Sequence, residues 1–272
     1  MRLRPILAAV LALCLILTTA CGGSIKGKTR AELNYAEIHN TGLANDCFEL
    51  PESARGTIPL EAGGSYKLVS VCMHPTDVLA KVDPLNKRQE ARFVDTKILT
   101  RKTSTIEEIY GDLDVGEEGL TFSEQGGIDF QLITVLLPGG EEVPFVFSSK
   151  ALVAEADADA ITTSTDFAGT YRVPSYRTSN FLDPKGRGLT TGYGSAVGLV
   201  PAGDDEELDR ENTKRYVEGQ GSMSLSITRV DGETGEFVGR FTALQTSDTD
   251  MGSKDPIDLQ VSGQLYGRVE QA

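Results

Sequence analysis

Apolar and polar residues alternate with a period of two over most of the chain. Between residues 258 and 270, Leu259, Val261, Gly263, Leu265, Gly267 and Val269 take one set of positions and Asp258, Gln260, Ser262, Gln264, Tyr266, Arg268 and Glu270 the other. Successive side chains of an extended strand point to opposite faces, so the pattern predicts a strand with one face buried and one wet. Met223, Leu225 and Ile227 alternate with serines and a threonine in the same way. After the turn sequence D-G-E-T-G at 231–235 the alternation resumes through Phe237, Gly239, Phe241 and Ala243, which predicts a hairpin. Similar runs at 66–73, 91–100, 106–115, 128–137, 142–153 and 161–171 are separated by turns such as P-G-G-E-E at 138–142. Many short strands with almost no long helical pattern predict an all-β fold, an antiparallel barrel or sandwich. Glycines at the apolar-face positions 239, 263 and 267 favour the barrel, because a sheet coils most tightly where no side chain intervenes.

One stretch, about 174–221, breaks the period. It reads as an insertion between two barrel strands, with at most one short helix near D-D-E-E-L-D-R-E-N at 204–212. Its first part, 175–188, is S-Y-R-T-S-N-F-L-D-P-K-G-R-G, where Asp183, Lys185 and Arg187 alternate with Pro184, Gly186 and Gly188. Proline and glycine set the backbone without adding apolar surface, so three charges are displayed on a tight loop. A solvated turn with incidental charges is the commoner explanation of such a loop. Its neighbours Tyr171, Arg172, Tyr176, Arg177 and Phe181 are of the types that carry protein interfaces, which makes the loop a candidate contact surface.

The amino terminus bears on compartment. Arg2 and Arg4 precede an apolar run from 5 to 20, too short to span a bilayer comfortably and laid out as a secretory signal, so the chain is expected to be exported. The run ends L-T-T-A-C at 17–21 and is similar to a bacterial lipobox, in which Cys21 would be lipidated after cleavage. Thr18 stands where that motif prefers Leu, and ordinary cleavage near Cys21 is the alternative. Cys14 lies in the signal and Cys21 at its end. Cys47 and Cys72 are then the remaining pair in an oxidising compartment, which predicts one disulfide. That bond would tie an N-terminal arm, 21–65, to the first long strand of a barrel spanning 66–272, and is worth about 3 to 4 kcal/mol in the chain-entropy picture. A metal site at these two sulfurs would have an incomplete shell.

The formal net charge of −14 over 272 residues, part of it offset by the two signal arginines, argues against nucleic acid as a ligand. No low-complexity linker divides the chain, so one domain with an elaborated loop is expected. There are two histidines, His39 and His74, and no G-x-S-x-G elbow, P-loop or H-E-x-x-H pattern, so no catalytic residue is assigned and the chain is read as a non-enzyme. His74, beside Pro75, reads as a hydrogen-bonded structural residue. Asp157 with Asp159, and Asp248, Asp250 and Asp255, could offer oxygens to calcium, but neither spacing matches an EF-hand and both groups read as solvated turns.

Seven segments together are similar to a known family. They are N-T-G-L-A-N-D-C at 40–47, N-K-R-Q-E-A-R-F-V at 86–94, G-I-D-F-Q at 127–131, T-S-T-D-F at 163–167, V-P-S-Y-R-T at 173–178, F-L-D-P-K-G-R-G at 181–188 and D-T-D-M-G at 248–252. In this order, over nearly the whole exported part, they resemble the manganese-stabilising protein of photosystem II, the PsbO family. The resemblance implies an eight-stranded antiparallel β-barrel with an extended head inserted between strands. It implies an extrinsic subunit on the lumenal side of the thylakoid membrane, which stabilises the manganese-calcium-oxygen cluster of water oxidation without ligating its metals. Where no thylakoids exist, the same face would be the periplasm. Expected partners are the reaction-centre and core antenna subunits and the other extrinsic lumenal subunits. The family disulfide maps onto Cys47 and Cys72, and Arg177, Asp183, Lys185 and Arg187 carry over as contact residues. The lipobox-like Cys21 departs from the ordinary signal-peptidase site of cyanobacterial members and leaves room for a lipid anchor. The competing expectation is an exported β-barrel lipoprotein that binds a small ligand.

Overall fold

The computed structural model of the protein describes residues 45–84, 90–100, 103–174, 219–248 and 255–272. These residues form fourteen strands and no α-helix. In chain order the strands are β1 (Ile58–Pro59), β2 (Ser65–Val82), β3 (Arg92–Asp95), β4 (Lys97–Ile98), β5 (Ile106–Gly116), β6 (Gly119–Ile128), β7 (Phe130–Leu136), β8 (Glu142–Ser148), β9 (Val153–Ala156), β10 (Ala160–Ile161), β11 (Asp166–Val173), β12 (Gly219–Asp231), β13 (Glu236–Thr246) and β14 (Asp258–Gln271). Eight of them make the barrel: β2, β5, β6, β9, β11, β12, β13 and β14 each pair antiparallel with the next, and β14 closes on β2. The result is an up-and-down barrel without a free edge.

Period two decides which residues fill it. On β14, Leu259, Val261, Gly263 and Leu265 are buried between the half-buried Gln260, Ser262 and Gln264. On β12, Met223, Leu225 and Ile227 point inward. Met73, Ile109, Leu113, Phe122, Phe167 and Phe241 join them in one continuous core. Burying each such side chain contributes about 1.5–3 kcal/mol. A barrel of eight strands has an interior just wide enough for side chains to fill, and this one is filled. The small-ligand reading therefore loses the lumen it needs.

The glycines act as the alternation suggested. A Cβ at Gly263 would lie 1.9 Å from the His74 carbonyl oxygen across the closing pair of strands, and one at Gly239 would lie 2.1 Å from that of Ser226. Register shifts sit beside both glycines, at Ser262/Gly263 and at Ile227/Arg229, so the sheet turns its corners there. Gly267 serves differently, lying under the Phe237 ring.

Several expectations about individual strands are corrected. The first long strand does not stop near Met73 but runs 18 residues through Pro75 to Val82. The register shift opposite Gly263 accommodates a residue with no N–H to give to the ladder. β6 falls in the gap between the predicted runs 106–115 and 128–137, where Leu120 and Phe122 are followed by S-E-Q-G-G with little apolar signal. The runs at 128–137 and 142–153 are not barrel staves: their strands β7 and β8 form a separate three-stranded sheet with β4. Phe145 and Phe147 of that sheet belong to the same core as the barrel interior.

The two rims differ sharply. At one rim the staves are joined by 117–118, 157–165 and 232–235; at the other by the long connections 83–105, 129–152, 174–218 and 247–257. The inserted stretch read from the sequence leaves the second rim between β11 and β12, which pair as far as Val173 and Gly219. The described part of the arm, from residue 45 onward, lies along the barrel's outside. Cys47 is bonded to Cys72 of β2 with Cα atoms 5.6 Å apart, as the cysteine arithmetic expected. Phe48 lies 5.0 Å from the ring of Tyr266, and the Leu50 carbonyl accepts a hydrogen bond from Arg229 Nη1 at 2.7 Å. The arm thus crosses the seam where the last strand meets the first. At the short-turn rim, Ile58 and Ile161 of the small β1–β10 pair close the core.

Candidate functional site

The rim bearing the four long connections is the candidate site, since loops on a rigid scaffold are where binding residues concentrate. Its organising feature is the base of the inserted stretch. Tyr171 on β11 pairs across the sheet with Gly221 on β12. A Cβ at Gly221 would lie 2.3 Å from Cζ of the Tyr171 ring, so the ring passes over a position that only glycine leaves open. Beyond it the Tyr171 hydroxyl donates to Gln245 Oε1 at 3.0 Å, and Gln245 Nε2 donates to the Val146 carbonyl at 2.8 Å. The Nε2 bond sets the orientation of the amide, leaving Oε1 facing the phenol. Burial pushes the Tyr171 hydroxyl above its ordinary pKa, so it remains a neutral donor.

The same amide ties β8, and with it the appended sheet, to the barrel. Phe147 stacks on Phe241 with centroids 5.3 Å apart, and the Asp248 N–H donates to the Pro144 carbonyl at 3.0 Å. Where the appended hairpin returns to the barrel, the buried Asp129 carboxylate accepts from Lys150 Nζ at 2.9 Å. The Ala151 N–H donates to Glu124 Oε2 at 2.6 Å. Burial, its first cause, raises the pKa of the Glu124 carboxyl, with the Asp129 charge adding to it and the Ala151 bond and Lys150 opposing. Lys81 and Asp258 form an exposed pair at 2.9 Å on the same rim.

Sequence reasoning and structure meet unevenly here. Arg177, Asp183, Lys185 and Arg187 lie outside the described residues, as does Cys21. Arg172 is exposed. Tyr171 is not: it is 2 % exposed, and its role is inside the scaffold rather than at an interface. Gln245 was missed, although a signal existed. Continuing the alternation Phe237, Gly239, Phe241, Ala243 by two places puts Gln245 at an inward position, where a polar side chain must find partners.

His74 proves structural, as read. Its Nδ1 is 2.7 Å from Thr105 Oγ1, in a network in which Asn45 Nδ2 donates to Ser104 Oγ at 3.3 Å and Thr105 Oγ1 donates to the Asn45 carbonyl. Among the described residues no group of three His, Cys, Asp or Glu side chains could hold a metal ion. Nor is any helix among them long and apolar enough to cross a membrane. The barrel wall itself presents Ser222, Ser224 and Arg240 outward, the reverse of the apolar band that a lipid-facing barrel carries.

Comparison with known proteins gives the family. A sequence profile described as manganese-stabilising protein / photosystem II polypeptide matches residues 31–269. Photosystem II extrinsic protein O of Synechococcus elongatus is 58% identical over 275 residues, covering 100% of this chain and 99% of the relative. The Nostoc protein of the same name is 50% identical, with 99% and 100% covered. Oxygen-evolving enhancer protein 1, chloroplastic, of Euglena gracilis is 41% identical, with 87% and 68% covered. The closed eight-stranded barrel, the Cys47–Cys72 bond and the profile match over 31–269 place this chain in the manganese-stabilising protein / photosystem II polypeptide family.

Proposed function

We propose that this chain is an extrinsic subunit of photosystem II on the lumenal side of the thylakoid membrane, where it stabilises the manganese-calcium-oxygen cluster and thereby supports water oxidation. The metals belong to the photosystem, and this chain's part is structural: it caps the cluster's surroundings without supplying ligands or performing a reaction. The observation that carries the reading is the profile match over 31–269. The concentration of all long connections at one barrel rim supports it by giving the chain one face to dock with. Docking would run through Arg177, Asp183, Lys185 and Arg187 against the reaction-centre and core antenna subunits, with the other extrinsic subunits alongside. Pro184 stiffens that loop, so less freedom is lost when its charges pair. Arg187 can form a bidentate pair with a carboxylate, where Lys offers only a point charge.

The test is to rebind Arg187→Gln and Lys254→Gln variants to photosystem II cores stripped of the subunit, measuring bound protein and oxygen evolution. Arg187→Gln is expected to dissociate faster and to release manganese more readily at low chloride. Equal rebinding of the two variants would overturn the contact assignment. Export and a lipid anchor at Cys21 belong to the same proposal, since one acyl anchor adds membrane affinity to docking. If Cys21 is lipidated rather than lost by ordinary cleavage, intact-mass analysis finds a diacylglyceryl increment on a chain beginning at Cys21. An unmodified terminus there or later would reject the anchor.

A further inference from the structure

We infer that Tyr171 and Gln245 are positioning residues for the inserted stretch 174–218, fixing the direction in which its two connecting strands leave the barrel. The inference rests on the docking role proposed above for that stretch. β11 and β12 carry the chain into and out of the insertion, and from Tyr171/Gly221 to Val173/Gly219 they pair with each other beyond the end of their β9 and β13 ladders, so near the rim they could splay or twist as a two-stranded ribbon, the most strongly twisted form of sheet. Three features oppose this. Tyr171 on β11 crosses β12 over Gly221 and reaches β13, so one side chain spans three consecutive staves. Gln245 receives it with an amide already oriented by the Val146 carbonyl of the appended sheet, so the stem is referred to a second element. Both residues are buried, at 2 % and 5 % exposure, where an unmade hydrogen bond is costly and the geometry is correspondingly narrow. A core needing only volume at these places would carry Phe and Leu. The polar pair instead supplies direction.

Two measurements on the full-length protein test this. In hydrogen exchange of the isolated protein, Tyr171→Phe keeps the ring but removes the donor. It is expected to raise exchange of the amides at 171–173 and 219–221 by about tenfold, leaving those of β14 near Leu259–Val261 unchanged. Gly221→Ala, which displaces the ring, should do the same or more. In rebinding to stripped cores well below the melting temperature, Tyr171→Phe is expected to weaken binding by about threefold to tenfold, the scale of one buried hydrogen bond. Added to Arg187→Gln it should weaken binding little further, because a mispositioned loop and a loop lacking its anchor lose the same contact. Unchanged exchange at the stem, wild-type rebinding of Tyr171→Phe under conditions where Arg187→Gln binds weakly, or penalties that multiply fully in the double variant would each overturn the inference. If the docking role itself is wrong, that appears separately, as wild-type rebinding of Arg187→Gln while the exchange result for Tyr171→Phe still stands.

Discussion

The two rims of this barrel were given different tasks. At the short-turn rim, 117–118 and 232–235 reverse the chain in the fewest residues, and Ile58 with Ile161 seals the core. At the other rim the closure of the core is delegated to a separate sheet, with Phe147 on Phe241, and the connections grow long. One rim finishes the barrel. The other uses the finished barrel as a platform, and its buried polar bonds at Gln245 hold the platform to the base of the inserted stretch. A closed β-barrel can do both because its staves are stabilised by neighbours on each side, so a loop of any length adds little entropy cost to the fold itself.

The largest effect that would break this comparison is in the platform's core. Phe147→Ala is expected to destabilise the protein by about 3–5 kcal/mol, since a large side chain with no exposure leaves a cavity. Ile161→Val at the other rim should cost only about 0.5–1.5 kcal/mol. Chemical denaturation of both variants checks the pair, and equal losses would mean that the appended sheet does not close the core. Next comes the strap outside the seam. Cys72→Ser should lower stability by about 3 kcal/mol while the β-signal in circular dichroism persists, because the core does not depend on the bond. Two free thiols in the unreduced wild-type protein would contradict the premise.

Rebinding sharpens the comparison more finely. Glu117→Gln, an exposed charge on the short-turn rim, should bind stripped cores like wild type, whereas Arg187→Gln should not. Comparable losses would put docking at both ends. The smallest expected effect is the pH dependence of Glu124. Its folded pKa is raised, so the associated stability is fully present below the ordinary value of 4.5 and is lost as pH rises through the folded value. The group is only half-buried, so the change should stay under about 1 kcal/mol. Melting curves of wild type and Glu124→Gln between pH 4 and 7.5 should differ in slope; parallel curves would dismiss the effect.

Much of this was legible in the residues. Alternation located β12, β13 and β14 closely, because those strands have one face on a core and one in water. It also located β7 and β8 as strands but did not separate them from the staves: Phe145, Val146, Phe147 and Ser148 are buried in succession, and an apolar run records burial without saying which sheet supplies the cover. Tyr171 beside the charged loop is of a type common at interfaces, but its burial follows from Gly221, 50 positions away in sequence and directly across the ladder.

The β-class, the disulfide pair and the family were fixed by the residues alone, because each is written in local spacing or in short exact motifs. Tertiary structure alone decided that all long connections share one rim, that the arm straps the closing seam, and that Tyr171, Gly221 and Gln245 form one joint. Those facts depend on which strands become neighbours when the sheet closes, and closure brings together residues whose separation along the chain carries no trace of the contact.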